Sequence, residues 1–120
     1  MKLTIPGELT DLNTFLKAVN NNLYAGANIK RQETNRVAQE CVACNLEAQL
    51  TPVKLHIAYY MKNTRKDLDN VAYGKKYLLD GLVLAGVLYD DSYKWVRGWT
   101  EEFLVDPASP RVEVTFKKVI

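Results

Sequence analysis

The feature that most constrains the fold is an alternating stretch near the middle of the chain. From Val53 to Met61 every second residue is large and apolar, and the positions between them are mostly polar or small. Successive side chains of a β-strand point to opposite faces, so this stretch predicts a strand with one buried face. A half-buried strand needs partner strands and a covering layer of other elements to complete its core.

The rest of the chain supplies candidates for those partners. In chain order the patterns predict a strand at Leu3–Ile5 ending at Pro6–Gly7, a helix over Leu12–Val19, a longer helix over about Lys30–Ala48, a helix over about Val71–Ala85, and strands near Trp95–Leu104 and over Val112–Phe116. The last two strands are expected to be antiparallel, with Pro107 and Pro110 bounding the turn. This β-α-α-β-α-β-β order predicts an α+β fold, with a mixed or largely antiparallel sheet packed against helices, in a single domain over residues 1–120.

Local signals indicate where some helices begin and end. Thr10 or Asp11 is available as the N-cap of the first helix, and Asn70 is placed to cap the helix over about Val71–Ala85. Gly86 stands where a glycine in the left-handed conformation would end that helix.

Composition narrows the class of protein. The net charge is +2 and 48% of the residues are hydrophobic, which is typical of a globular domain. No apolar run approaches the roughly 18–20 residues of a membrane span, and the first residues do not resemble a signal peptide. We therefore expect a cytoplasmic location, no membrane partner and no small-molecule organic cofactor.

The two cysteines form a lone Cys-x-x-Cys. A structural zinc site would need two more ligands, and His56 is the only histidine in the sequence. Cys41 and Cys44 share one face of a helical pattern with Val37 and Ala48. We therefore predict two buried thiols with a packing role, and no role is assigned to His56.

Asp67 and Asp69 are the main candidates for chemistry. Their i, i+2 spacing in a segment expected to be extended points both carboxylates to one side, with Leu68 able to enter the core. A further carboxylate source, Asp90–Asp91, follows the next helix. Crowded carboxylates repel one another unless a cation neutralises them, and Mg²⁺ is typically held by one or two carboxylates with phosphate and water. The alternative that Asp69 and Asn70 only cap a helix stays open here.

A lysine in the following helix favours the metal-site interpretation. Lys76 lies six residues past Asn70, or roughly 9 Å along a helix axis. Helical side chains lean toward the N-terminus, so its ammonium group could reach the acidic cluster and stabilise charge developing on a phosphate. Lys75, on a different face of the helix, is the alternative.

The ordered combination of Asp67-Leu-Asp-Asn, Lys76-Tyr-Leu-Leu-Asp-Gly-Leu and Asp90-Asp91 resembles the RusA family of Holliday junction resolvases, which are small enzymes of phage and prophage origin. The similarity is strong over about Arg65–Asp91. It is weaker near the start of the chain, where Ile5-Pro6-Gly7 and Asn13 are similar to the opening strand and loop of the family.

The resemblance implies a Mg²⁺-dependent endonuclease, with Mn²⁺ as a substitute metal. It implies a homodimer that nicks two opposed strands of a four-way DNA junction during recombination and repair. By position it makes Asp67, Asp69 and Asp91 metal ligands, Asp90 an adjacent ligand, and Lys76 the catalytic lysine. The spacing from Asp69 to the lysine is longer than in the enterobacterial members, which keeps Lys75 as a substitute.

Chain geometry adds an expectation about assembly. A helix of about 15 residues spans roughly 22 Å, and the chain from Gly86 to Asp91 can return at most about 17–20 Å when fully extended. One chain can therefore bring Asp91 to Asp69 only with little room to spare. We hypothesise that the partner subunit of a dimer completes the metal site.

Basic residues close to these motifs are candidate DNA contacts. They are Lys62, Arg65, Lys66, Lys75, Lys94 and Arg97. Trp95 and Trp99 are placed either to stack on unpaired bases or to pack in the sheet or the dimer seam. Two other functions are kept as alternatives: a metal-dependent nuclease for flaps or replication forks, and a non-catalytic DNA-binding protein that retains the same fold.

Overall fold

The strand predicted from the alternating pattern lies inside the sheet. The computed structural model describes residues 1–119. Its elements are β1 (Lys2–Pro6), α1 (Leu12–Asn21), α2 (Leu23–Ala43), β2 (Val53–Met61), α3 (Leu68–Ala72), α4 (Gly74–Leu84), β3 (Val96–Val105) and β4 (Arg111–Lys118). The four strands form one mixed sheet in the order β1-β4-β2-β3. The predicted α+β class with a mixed sheet is confirmed.

The sheet combines one parallel and two antiparallel pairings. β2 and β3 are parallel, with Tyr59 opposite Phe103, and α3 and α4 form the connection between them. β4 runs antiparallel to both of its neighbours, β1 and β2. The two C-terminal strands therefore do not pair with each other as a hairpin, because β4 inserts between the first strand and the central one.

The helices cover one face of the sheet and leave the other open. Alternate residues of β2 and β4, from Val53 to Tyr59 and from Val112 to Phe116, are buried in the main core. That core continues into α2 and α4 through Val37, Tyr77 and Leu82, all with essentially no exposed surface. Gly81 lets these two helices approach closely, because a Cβ at this position would lie 2.5 Å from the Cβ of Val37.

The cap signals were partly correct. Asp11 caps α1, accepting a hydrogen bond from the backbone N–H of Thr14 at 3.3 Å. Gly86 has φ +75°, and the N–H groups of Gly86 and Val87 donate to the carbonyls of Val83 and Leu82. This is the glycine-terminated helix end predicted from the sequence.

Other predicted boundaries were wrong. α2 begins at Leu23 rather than Lys30 because the Asn22 side chain caps it, accepting from the backbone N–H of Tyr24 at 2.8 Å. It ends at Ala43 rather than Ala48, and Asn45 follows with φ 52° in the left-handed region.

The predicted long helix after Asn70 is two helices. α3 starts at Leu68 and α4 at Gly74, so Asn70 lies inside α3 instead of capping a helix. Leu68 is 51% exposed and does not enter the core. The prediction of an extended segment at Asp67–Asp69 was therefore wrong beyond Asp67.

The early end of α2 also separates the two cysteines. Cys41 is buried, whereas Cys44 occupies the C-cap position and is exposed. The prediction of two buried thiols holds for Cys41 only. Over residues 1–119, no helix combines the length and apolar character needed to cross a membrane.

Candidate functional site

Asp67 and Asp69 lie together at the first turn of α3. Asp67 is the last extended residue before the helix, with φ −67° and ψ 150°, and its side chain makes no capping hydrogen bond. Asp69 is in the first turn, and its Oδ1 accepts from the adjacent backbone N–H of Asn70 at 2.9 Å. Both carboxylates are exposed. Since Asp67 caps nothing, its carboxylate remains available to a ligand.

Asp90 and Asp91 lie in the connection between α4 and β3. Asp90 Oδ1 accepts from the backbone N–H of Asp91 at 2.8 Å, and both side chains are exposed. The next residue, Ser92, accepts backbone hydrogen bonds from Trp95 and Val96 at 2.9 Å each. This turn holds the acidic pair close to the first residue of β3.

The two acidic pairs lie at opposite ends of β2. Asp67 follows the C-terminal end of this strand, whereas Asp91 precedes Val96, which pairs with Val53 at the N-terminal end. A strand of nine residues spans about 26 Å at roughly 3.3 Å per residue. Within residues 1–119, no three His, Cys, Asp or Glu side chains converge in a group that could hold a metal ion. A single chain therefore brings Asp67 and Asp69 together but leaves Asp91 apart from them.

The four motif aspartates differ from the other aspartates in having no nearby basic side chain among the described residues. Each of the other aspartates lies within 4 Å of a lysine or arginine nitrogen: Asp11 beside Lys66, Asp80 beside Lys30 and Lys76, and Asp106 beside Arg111. In the described part of the chain, Asp67, Asp69, Asp90 and Asp91 have no such partner. Exposed carboxylates without an internal cation are suited to bind an external one.

The two candidate lysines have different surroundings. Lys76 is 47% exposed at its side chain and lies 3.3 Å from Asp80 Oδ1, one turn toward the C-terminus of α4. It therefore does not lean back toward Asp69 in the way that the sequence argument supposed. Lys75 is only 21% exposed, donates to Glu101 Oε1 at 3.0 Å, and lies 4.6 Å from the Trp99 ring centroid.

The candidate DNA contacts fall into two groups. Four of them have no acidic partner among the described residues: Lys62, Arg65, Lys94 and Arg97. Lys66 lies between Glu8 and Asp11, at 3.6 and 3.5 Å, and Lys75 is engaged by Glu101. The first group is free to contact phosphate without breaking an existing ion pair.

Glu101, which connects β2, β3 and α4 on the helix-facing side of the sheet, was not identified from the sequence. Glu101 accepts from the buried Tyr59 hydroxyl at 2.8 Å with one oxygen and from Lys75 with the other. Burial, followed by the hydrogen bond to Glu101, raises the pKa of Tyr59 well above its ordinary value, so the phenol stays protonated. The alternating pattern could have indicated this contact, because the side chains of Tyr59 and Glu101 lie on the same face of the parallel strands β2 and β3.

Neither a family model nor a curated protein matches this chain.

Proposed function

We propose that this protein is a Mg²⁺-dependent DNA endonuclease that resolves four-way junctions by paired nicking, as its resemblance to the RusA family implies. One observation carries the proposal. The motif aspartates are exposed and have no basic partner among residues 1–119, whereas the other aspartates are ion-paired. Carboxylates without an internal cation can bind an external one without first breaking an ion pair.

The donor set fits a hard divalent cation. Asp67 and Asp69 present carboxylate oxygens at the surface, and Mg²⁺ prefers oxygen ligands and retains water and substrate phosphate in its coordination shell. When bound, Mg²⁺ or its substitute Mn²⁺ supplies charge stabilisation at a phosphate oxygen and a water of lowered pKa. Asp67 and Asp69 would hold that cation at the surface, where a DNA strand can reach it.

Asp91 enters the proposed site from the partner subunit. Within one chain it lies at the far end of β2 from Asp67 and Asp69. In a two-fold dimer, the Asp67–Asp69 end of each protomer can lie against the Asp91 end of the other. The symmetry then forms this contact twice. Each of the two sites then contains Asp67 and Asp69 of one protomer and Asp91 of the partner subunit, with Asp90 of the partner subunit beside it.

Several exposed apolar side chains lie near the Asp90–Asp91 end. Leu50 and Tyr89 are 85% and 81% exposed and line one cleft, and Val42 and Leu84 line a second cleft where α2 and α4 end. Apolar surface of this kind commonly marks a protein interface. We propose that a second copy of the chain covers it, because the same contact would complete the metal site.

The basic residues have separate tasks in this scheme. Lys76 is the proposed catalytic lysine, and moving its ammonium group from Asp80 to a phosphate would require only a rotamer change of an exposed side chain. Lys62 and Arg65, in the loop before α3, are exposed and would contact the DNA backbone next to the acidic pair. Lys94 and Arg97 would do so at the other end of the protomer.

The test is a nicking assay with four-way, flap and linear DNA in Mg²⁺ and in EDTA. We expect Mg²⁺-dependent paired nicks in the four-way junction, little cutting of linear duplex, and loss of nicking in Asp69→Asn. Glu47→Gln, which changes another exposed carboxylate without a basic partner, should retain wild-type activity. Equal cutting of all three substrates, or full activity of Asp69→Asn, would overturn the proposal. Binding of the junction without cutting would favour the non-catalytic alternative.

A further inference from the structure

Two lysines face each other directly on the open face of the sheet. Lys54 of β2 and Lys117 of β4 are cross-strand partners, and both are exposed. Like charges directly opposite one another across a pair of strands reduce the stability of the sheet. Neither lysine lies within ion-pair distance of a carboxylate in the part of the chain that the structure describes. The fold therefore holds two cations together without internal compensation.

A third cation extends this pair onto the edge strand. Lys54 is opposite Gly98 of β3, and the preceding residue, Arg97, lies at an irregularity in the β2–β3 register. The guanidinium of Arg97 lies 5.3 Å from the Tyr93 ring, and its Nε is buried without a hydrogen-bond partner among residues 1–119. Lys117, Lys54 and Arg97 thus form a row across three adjacent strands, which we call the cationic row.

The acidic residues nearest to this row are already engaged. Glu102 Oε1 lies 2.8 Å from His56 Nε2, and His56 Nδ1 lies 2.6 Å from Thr100 Oγ1. Glu113 of β4 is held by Lys2 at 2.9 Å and by Arg111. Among residues 1–119, no carboxylate on the open face is therefore positioned to neutralise the cationic row, and an anion from outside the chain is the natural partner.

The surface around the row is concave. A cleft of about 380 Å³ is lined by the three cations, by His56 and by the hydroxyl-bearing Thr100 and Thr115. In the described part of the chain, none of its lining residues is acidic. The floor of the cleft is open at Gly98, since a Cβ built at this position would meet no other atom within 4 Å. Tyr93, whose ring lies 5.3 Å from the Arg97 guanidinium, stands beside the row and is 75% exposed. The volume is in the range of pockets that hold small ligands.

We propose that this cleft is a second nucleic-acid site, which binds the phosphate backbone of a single-stranded segment across the cationic row. Grooves for single strands combine cations that follow the backbone with an exposed aromatic ring on which a base can stack, and Tyr93, beside Arg97 at one end of the row, supplies that ring. The anion site itself follows from the structure, whereas the choice of nucleic acid among polyanions rests on the proposed function. Within one chain, the cleft lies on the open face at the end of the sheet where β3 begins, away from Asp67 and Asp69.

The test measures binding of a labelled single-stranded oligonucleotide in EDTA, where no cutting occurs. The double variant Lys54→Gln/Lys117→Gln should weaken binding by about 10-fold or more, and its slope of log affinity against log salt should fall by about 1.4, or about 0.7 for each lost phosphate contact. The matched control Lys17→Gln/Arg31→Gln removes the same charge from two exposed cations that also lack an acidic partner among residues 1–119. It should bind within about two-fold of wild type. The melting temperature of the first variant should not fall, because the substitution removes a repulsion.

The outcomes separate this inference from the proposed nuclease activity. The inference would be overturned if the two double variants weakened oligonucleotide binding equally. It would also be overturned if the wild-type protein did not bind the oligonucleotide. Equal displacement of the oligonucleotide by poly-glutamate at matched charge would also overturn it, by showing a general polyanion site. If no substrate is cut in Mg²⁺ and only the Lys54/Lys117 variant loses binding in EDTA, the nuclease proposal fails and the inference stands.

Discussion

Lys75 Nζ lies 3.0 Å from Glu101 Oε1, and this contact joins α4 to the edge strand of the sheet. The other carboxylate oxygen of Glu101 accepts from Tyr59, whose side chain is buried in the core. Stacking of Tyr59 on Phe103, with ring centroids 4.9 Å apart, fixes the phenol further. The helix that follows the Asp67–Asp69 pair is therefore anchored to the sheet through one carboxylate.

Removal of that carboxylate should destabilise the protein. Glu101→Ala leaves the buried Tyr59 hydroxyl and the half-buried Lys75 ammonium without a partner, which should cost about 1.5–3 kcal/mol of unfolding free energy. Glu101→Gln keeps an acceptor for Tyr59 and should cost less. Urea unfolding of the two variants measures the difference, and equal small losses in both would contradict this account of Glu101.

The two neighbouring lysines should respond differently to substitution. Lys76→Met should lower the rate of junction nicking by about 10²-fold, because a positive charge at the transition state is lost. Its melting temperature should change little, since its ion pair with Asp80 is exposed. Lys75→Met should lower the melting temperature because it removes the partner of Glu101. If only the Lys75 variant loses activity at a temperature where it is folded, Lys75 takes the catalytic role.

Much of the fold was predictable because it depends on local pattern. The alternation from Val53 to Met61, the cap candidates Thr10 and Asp11, and the terminating Gly86 each report on a few neighbouring residues. The strand and the helix end were found as predicted, and Asp11 is the N-cap of the two candidates. The position of β4 was not predictable in this way. Its insertion between β1 and β2 depends on pairing between residues about 50 or more positions apart, such as Leu55 with Phe116.

The candidate site was predictable in its residue types and not in its arrangement. Spacing indicated that Asp67 and Asp69 belong together, but it could not show that α3 begins at Leu68. The distance argument for Asp91 assumed one continuous helix. The break near Tyr73 and the return of the chain to the N-terminal end of β2 are tertiary features, and they separate Asp91 from the first pair.

The two cysteines should differ in reactivity. Burial, with the nearby Cys44 as a smaller cause, raises the pKa of the Cys41 thiol from 9.0 to about 11, whereas Cys44 is exposed. At pH 8 iodoacetamide should modify one thiol per native chain quickly, at Cys44, and both after denaturation. Peptide mass spectrometry identifies the modified residue. Equally rapid modification of Cys41 in the native chain would contradict its burial.

The Cys41 thiol should also affect stability at high pH. The folded chain keeps this thiol protonated above the pKa of about 9 expected in the unfolded chain. Its contribution to the free energy of unfolding is therefore present below pH 9 and is lost as the pH rises toward 11. Cys41→Ala should remove that part of the pH dependence when urea midpoints are compared between pH 8 and pH 10.5. An unchanged slope would contradict the assignment.

Glu113 should contribute to stability in the acid range. The hydrogen bond from Lys2, followed by that from Arg111, holds the pKa of Glu113 below its usual value of 4.5. A lowered carboxyl pKa stabilises the folded chain above pH 4.5, and this contribution is lost as the pH falls through the folded value. Urea midpoints of Glu113→Gln should therefore approach those of wild type as the pH falls from 7 to about 3. Glu47→Gln, at an exposed position, should keep the wild-type pH dependence, and parallel curves for all three proteins would contradict the prediction.

Complementation between two inactive variants tests the shared metal site most directly. Asp69→Asn and Asp91→Asn should each abolish Mg²⁺-dependent nicking of a four-way junction. After the two chains are unfolded together and refolded in equal amounts, half of the dimers are mixed and each mixed dimer holds one intact site. A quarter of all sites are then intact, so nicking should return to about a quarter of the wild-type rate. If the refolded mixture nicks no faster than either variant alone, Asp91 does not act across the dimer and the shared-site account is wrong.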